Sequence, residues 1–219
     1  MAKVIDHPNS LLLVEGIDDF HVIHSLCKQF NIPVRNLEDP KGGKFSVKDC
    51  KGINLLLEQI PVLFKGSNQL QSLGIIVDAD IDLITRWESI KNILQKIGFV
   101  LPYTLPATGL IIKSKELKVG VWIMPNNNLN GMLEDFMSFL VPPDDKLLPI
   151  IKANLIDIEL LNLNNYSLIH KSKAIIHSWL AVQEVPGTPL GQSITRRYLT
   201  TDDETCNQFI TWMDELFCK

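Results

Sequence analysis

The sequence predicts an α/β protein in which a parallel sheet is flanked by helices. Three observations predict it. Two short apolar runs, Ser10-Leu11-Leu12-Leu13-Val14 and Leu73-Gly74-Ile75-Ile76-Val77, are bounded by turn residues and suit strands covered on both faces. Each is followed by apolar residues at helical spacing. The resulting strand–helix alternation calls for right-handed crossovers between parallel strands.

The elements follow in order. After the first strand, Phe20, Ile23, His24, Cys27 and Phe30 form one helical stripe. Val34-Arg35-Asn36-Leu37 is the candidate for a further strand. Ile53, Leu56, Leu57, Ile60 and Leu63 mark a helix that Pro61 should end or kink. After the second apolar strand, Leu83, Trp87, Ile90, Leu94 and Ile97 repeat the helical pattern, and Gly98 is a stop signal. Gly109-Leu110-Ile111-Ile112 and residues 118–124 flank Lys113-Ser114-Lys115-Glu116, the pattern of a hairpin added to the sheet. The polar loop Pro125-Asn126-Asn127-Asn128 leads into a helix with Leu129, Met132, Leu133, Phe136 and Leu140 on one side. Val141-Pro142-Pro143 is the best boundary, dividing an α/β core (1–142) from a helical C-terminal extension (143–219) packed on it. Helices are expected there over roughly 144–155, 171–183 and 203–216, the last with a face of Cys206, Phe209, Ile210, Met213 and Phe217.

Composition narrows the function classes. With 219 residues, 46% hydrophobic and 21% charged, the chain can bury a core without a disulfide or a structural metal, and disorder is excluded as its general state. A net charge of −4 excludes a wholesale basic coat, though not a local basic patch. No apolar run approaches the roughly 18–20 residues that span a bilayer. The opening MAKVIDHPNS lacks the layout of a signal peptide. The cysteines, Cys27, Cys50, Cys206 and Cys218, are scattered without a CxxC pair, so reduced thiols and a cytoplasmic location are expected.

Acids cluster where the strands end. Glu15 follows the first strand, and Asp78 and Asp80 follow the second. Ligands of open α/β sheets bind at the carboxyl ends of the strands. If these strands are neighbours the carboxylates converge, and their repulsion asks for a hard cation; Mg²⁺, or Mn²⁺ in its place, is the natural candidate. Glu134 with Asp135, after the strand ending at Met124, could close the same site. Structural roles compete. Asp18 and Asp82 are good N-cap residues, Asp19 suits a first helical turn, and Glu134 and Asp135 sit on the polar side of a helix. An acid pair directly after Ile-Ile-Val gains nothing from sheet packing, so Asp78 and Asp80 are the strongest functional candidates.

The strand ending in Val14-Glu15-Gly16 with Asp19 four residues after the glutamate, and the later Val77-Asp78-Ala79-Asp80, resemble the Rossmann-like TOPRIM domain. That domain is shared by topoisomerases, primases, small rRNA-maturation nucleases and OLD-family nucleases. The likeness is greatest to a single-domain TOPRIM-like family near the OLD nucleases, and extends to Gly131-Met132-Leu133-Glu134-Asp135, to Lys173-Ala174 through Trp179-Leu180-Ala181, and to Phe209-Ile210-Thr211-Trp212. The resemblance implies that Glu15 is a metal ligand or general acid/base. It implies further that Asp78 and Asp80 bind Mg²⁺, that Glu134 completes the site with Asp19 near it, and that Lys173 neutralises phosphate charge. For Lys173 a solvated helix lysine is the equal alternative. DNA or RNA is then the expected substrate. Because no GxxxxGK[ST] ATPase motif is present, a separate ATPase or other protein partner is implied.

Two rival readings stay open. One is a TOPRIM-shaped interaction module without activity. The other, weaker, is a haloacid-dehalogenase-like phosphatase with Asp78 as nucleophile, which leaves Glu15 idle and finds Asp82 where a Thr or Val is usual. Lys41, Lys44, Lys48 and Lys51, and Lys113, Lys115 and Lys118 at the hairpin, could meet phosphates, although edge lysines also discourage strand pairing. Arg196-Arg197 could do the same or pair with Asp202 and Asp203. No third ligand accompanies His170 and His177, so no zinc site is expected. His24, Trp87, Trp179 and Trp212 are expected in the core.

Overall fold

Side-chain alternation along each strand decides the layers. The computed structural model describes residues 9–35, 42–66, 70–114 and 117–219. Its strands are β1 (Ser10–Val14), β2 (Ser46–Asp49), β3 (Ser72–Asp78), β4 (Leu110–Ser114) and β5 (Leu117–Met124). They form one sheet in the order β2-β1-β3-β5-β4, parallel except for the antiparallel β4–β5 hairpin. Leu13, Leu73, Ile75, Val77, Val121 and Ile123 face one side, where α2 (Ile53–Gly66) and α3 (Leu83–Lys96) cover them. Leu12, Val14, Ile76, Trp122 and Met124 face the other, under α1 (Ile17–Gln29) and the C-terminal helices. The α/β class and the added hairpin are therefore as the sequence predicts.

The C-terminal helices are α4 (Leu133–Phe139), α5 (Leu147–Leu160), α6 (Lys171–Ala181), α7 (Leu190–Thr195) and α8 (Glu204–Phe217), with a short 3₁₀ turn at Leu168–His170. Their apolar residues share one core with the sheet. α8 lies directly on the strands. Gly74 and Gly120 are partners in the β3–β5 register, and a Cβ on Gly120 would stand 2.6 Å from the Leu216 side chain and 2.9 Å from Trp212. The glycine pair is thus the seat of α8. Trp212 Nε1 donates to the Leu110 carbonyl at 3.0 Å, and Ser72 Oγ to the Leu216 carbonyl at 3.2 Å, fixing the helix along the sheet.

Several elements differ from expectation. The strand beside β1 is Ser46–Asp49, whereas Val34 makes only an isolated bridge to Phe45; Asn36 and Leu37 lie outside the described residues. As an edge strand β2 needs little apolar content, so Ser-Val-Lys-Asp carries no visible pattern. α2 runs through Pro61 to Gly66. A proline removes one i→i−4 bond, and the fully buried Leu56 and Ile60 hold the helix to the sheet. The buried face of α1 is Val22, Ile23, Leu26 and Cys27, with Phe20, His24 and Phe30 at its margin, because α1 is packed by both the sheet and α7. In α8 the buried face includes Trp212 and Leu216, while Ile210 is only half-buried. Trp87, Trp179 and Trp212 are buried as expected. Among the described residues the cysteines are free thiols and no helix is long and apolar enough to cross a membrane.

Candidate functional site

The strand order places the chain's switch of direction between β1 and β3: β2 lies to one side of β1, and all later strands lie beyond β3. A crevice opens at the carboxyl ends of such a pair. Here Leu13 is in register with Ile75, so Glu15 and Asp78 emerge side by side. Glu15 Oε1 accepts from the backbone N–H of Asp78 at 2.8 Å, reaching across the strand ends. From the far side, α4 brings its first turn over β3. Its Leu133 N–H donates to Asp78 Oδ1 at 2.9 Å.

Two further acids enter on helix starts. Gly16 caps α1, and the side chain of Asp19 turns back so that Oδ2 accepts from the Gly16 N–H at 3.1 Å. Asp19, not Asp18, is therefore the capping acid of α1. Asp18 stays at the cleft rim because the helix begins at Ile17, two residues too early for it to cap. Asp135 performs the same service for α4, with Oδ2 accepting from the Met132 N–H at 2.8 Å. Its neighbour Glu134 points inward, fully buried, and Oε1 accepts from Lys173 Nζ of α6 at 2.5 Å. Glu15, Asp19, Asp78, Glu134 and Lys173 thereby line one cleft of about 520 Å³.

Asp80 is turned elsewhere. Its backbone has φ 53° and pairs with Gly131 through two 2.8 Å hydrogen bonds. Its carboxylate takes 2.7 Å from the Arg86 guanidinium, whose Nε also donates to the Asp78 carbonyl at 2.8 Å. Arg86 thus braces the Asp78-Ala79-Asp80 turn. The sequence offered one hint of it, a basic residue in the first turns of the helix after the acid pair. Asp82 is the N-cap of α3, as expected, accepting from the Thr85 N–H at 3.0 Å.

The electrostatics of the cleft oppose ionisation. Burial, then the charge of Glu15, raises the Asp19 carboxyl to about 7. Burial raises Asp78 well above the usual carboxylate range, with Asp19, Glu15 and Glu134 adding to it. Burial also raises Glu15, opposed by the Asp78 N–H and by Arg86. For Lys173, burial alone would lower the ammonium's pKa; the hydrogen bond and charge of Glu134 outweigh it, and the net shift is upward.

Two carboxylate oxygens, Asp19 Oδ1 and Glu134 Oε2, are buried with no hydrogen-bond partner. Such atoms are costly unless something satisfies them. An all-oxygen donor set with unsatisfied lone pairs matches a hard divalent cation, and the residues fit one chemically. Among the described residues no trio of Asp, Glu, His or Cys side chains is already drawn together at chelating geometry. The reason is visible: Glu15, Asp19 and Asp78 each hold a backbone amide, and Glu134 holds Lys173.

Of the basic residues, Lys51 lines the cleft and pairs with Asp49. Lys48 is exposed, and Lys44 Nζ donates to the Cys218 carbonyl at 3.0 Å. Lys113 is exposed on β4, Lys118 Nζ donates to the Glu215 carbonyl at 3.4 Å, and Lys41 and Lys115 lie outside the described residues. Arg196 and Arg197 are exposed. His24 is half-buried against Phe20, ring centroids 4.4 Å apart.

A family model described as a protein of unknown function, DUF3226, matches residues 9–218. No curated protein and no solved structure matches the chain.

Proposed function

The chain belongs to the DUF3226 family, and we propose that it is a TOPRIM-like, Mg²⁺-dependent phosphodiester-cleaving protein acting on DNA or RNA. The observation that carries the reading is the pair of buried, unpartnered oxygens, Asp19 Oδ1 and Glu134 Oε2, on a cleft where Glu15, Asp19 and Asp78 resist ionisation and Glu134 is paired with Lys173. Asp19 caps α1 through its other oxygen, but Glu134 is fully buried and its carboxylate accepts from no backbone N–H. Glu15, Asp19, Asp78 and Glu134 would hold the ion, with Asp80 at the margin. When bound, Mg²⁺ or Mn²⁺ supplies charge neutralisation for these acids and Lewis-acid polarisation of a phosphate.

The chain's own residues supply the rest. Lys173, anchored on Glu134 but with its side chain 43% exposed, can meet a phosphate oxygen as charge builds in the transition state. One of the cleft carboxylates takes the proton of the attacking water. Arg86 keeps the Asp78 backbone fixed, so the carboxylate is aimed without a search. Lys51 at the rim offers a second contact for a nucleic-acid backbone.

The competing reading, a TOPRIM-like interaction module without activity, draws on the Lys173–Glu134 pair, which neutralises one carboxylate without a metal. Cleavage assays separate the two. Labelled single- and double-stranded DNA and RNA are incubated with the chain and Mg²⁺ or Mn²⁺. Metal-dependent cleavage that Asp78→Asn abolishes is expected. No cleavage of any of the four by the wild type, with metal binding intact, would favour the interaction module.

A further inference from the structure

Glu15, Asp19, Asp78 and Glu134 are not held alike. Each of the first three engages a backbone N–H through one oxygen: Glu15 Oε1 takes that of Asp78, Asp19 Oδ2 that of Gly16 and Asp78 Oδ1 that of Leu133. These donors belong to a strand end and two helix starts, so they cannot swing away without undoing the fold around them. Glu134 has no backbone donor. Its partner among the described residues is the Lys173 ammonium, 2.5 Å from Oε1, while Oε2 is buried with no hydrogen bond.

That partner is free to move. Lys173 belongs to α6 and its side chain is 43% exposed, whereas Glu134 is fully buried. A lysine is a compact charge on a flexible four-carbon stem, so it can withdraw through its exposed side while the carboxylate stays in place. Glu134 itself needs a counter-charge, because a buried carboxylate is costly unless paired. A divalent cation taken up by Oε2 would stand close beside the ammonium on Oε1, and like charges so near each other in a partly buried site repel strongly. The two cations therefore exclude one another.

Resting on the reading of the cleft as a divalent-cation site, we infer that Lys173 is a latch on it: the lysine competes with the cation for Glu134 and is released to the cleft mouth when the cation binds. The released ammonium does not leave the cleft, since the charges of Asp78 and Asp18 also act on it and Asp18 stands at the rim. An order of events follows. The lysine that is to meet a phosphate oxygen is free only once Glu134 has changed partners, so the metal binds first and the phosphate second.

Isothermal titration calorimetry of the full chain with Mg²⁺ and with Mn²⁺ tests the competition. Lys173→Met should bind either ion about tenfold more tightly than the wild type, because the lysine no longer limits the fraction of clefts in which Glu134 is open. Lys51→Met removes a charge from the same cleft, where the lysine is paired with Asp49 and not with Glu134, and should leave the affinity within about twofold. Should Lys173→Met fail to fold, the wild type alone answers. In crystals grown with Mn²⁺, located by its anomalous scattering, Glu134 should ligate the ion and Lys173 Nζ should lie beyond hydrogen-bond reach of the carboxylate. Equal affinities of wild type and Lys173→Met, an equal gain from Lys51→Met, or a Mn²⁺-bound structure with the Lys173–Glu134 bond intact would each overturn the latch and leave the metal site standing. No binding of either ion, by the wild type or by Lys173→Met, would overturn the metal reading itself.

Discussion

Asp19 holds its proton to about pH 7 in the fold, against an ordinary value of 3.8. Between those values the native state binds more protons than the unfolded chain, so stability falls as pH rises through this window and levels off above it. Glu15 and Asp78 are shifted the same way and deepen the fall. Melting temperatures in chelator-treated buffer should therefore drop from about pH 4 to about pH 7, and Asp19→Asn should flatten the curve. A profile that rises over that range would contradict the burial of uncompensated carboxyls. Lys173 is the other residue with a sharp expectation. Lys173→Met leaves a fully buried Glu134 without its cation and should cost about 2 kcal/mol, below the range for fully buried pairs because the lysine is partly exposed. Adding Glu134→Gln should recover most of that loss, which a double-mutant cycle by urea unfolding would measure. At this scale the sequence was informative about identity and silent about pairing. Glu15 and Asp78 are legible as acids at strand ends and Glu134 as an acid on the helix that follows β5, whereas for Arg86 the sequence hints only at a basic residue near the acid pair and not at its bond to the Asp78 carbonyl.

Among the elements, α8 depends most on fine packing. Gly120→Ala places a methyl 2.6 Å from Leu216 Cδ2 and should destabilise by about 1–3 kcal/mol, read from the urea midpoint at unchanged slope. Asp203, whose carboxylate caps α8 by accepting from the Thr205 N–H at 2.7 Å, should cost about 1 kcal/mol when changed to alanine. β1, β3 and α3 could be foreseen because buried strands and amphipathic helices write their period into the chain. β2 and α7 could not. β2 is a polar edge strand held by backbone bonds to β1, and α7 is too short to repeat a pattern, with its Gly191 set against the His21 carbonyl of α1. Gly74 and Gly120 are where α8, from the end of the chain, comes close to the strands.

For the molecule as a whole, one apolar core joins both sides of the Val141-Pro142-Pro143 break, so the sheet and the C-terminal helices are expected to unfold together. α6 ties that core to the cleft by delivering Lys173 to Glu134 from outside the strand–helix alternation. The sequence reading foresaw the α/β sheet and brought Glu15, Asp78 and Glu134 to one cleft, but it counted Asp80 among them, put a strand at Val34–Leu37, and left the helices after residue 143 as a generic cover. Their long-range packing on Gly74, Gly120 and α1 has no local signature. The central claim is that the acids at the carboxyl ends of β1 and β3 hold a divalent cation. The measurement that tests it most directly is the melting temperature of wild type and of Asp78→Asn in chelator and with millimolar Mg²⁺ or Mn²⁺. Because an ion that binds only the native state stabilises it by mass action, saturating metal should raise the wild-type melting temperature by about 5 °C or more. The variant should lose that rise while remaining at least as stable as the wild type in chelator. A wild type whose melting temperature is indifferent to either metal would contradict the claim.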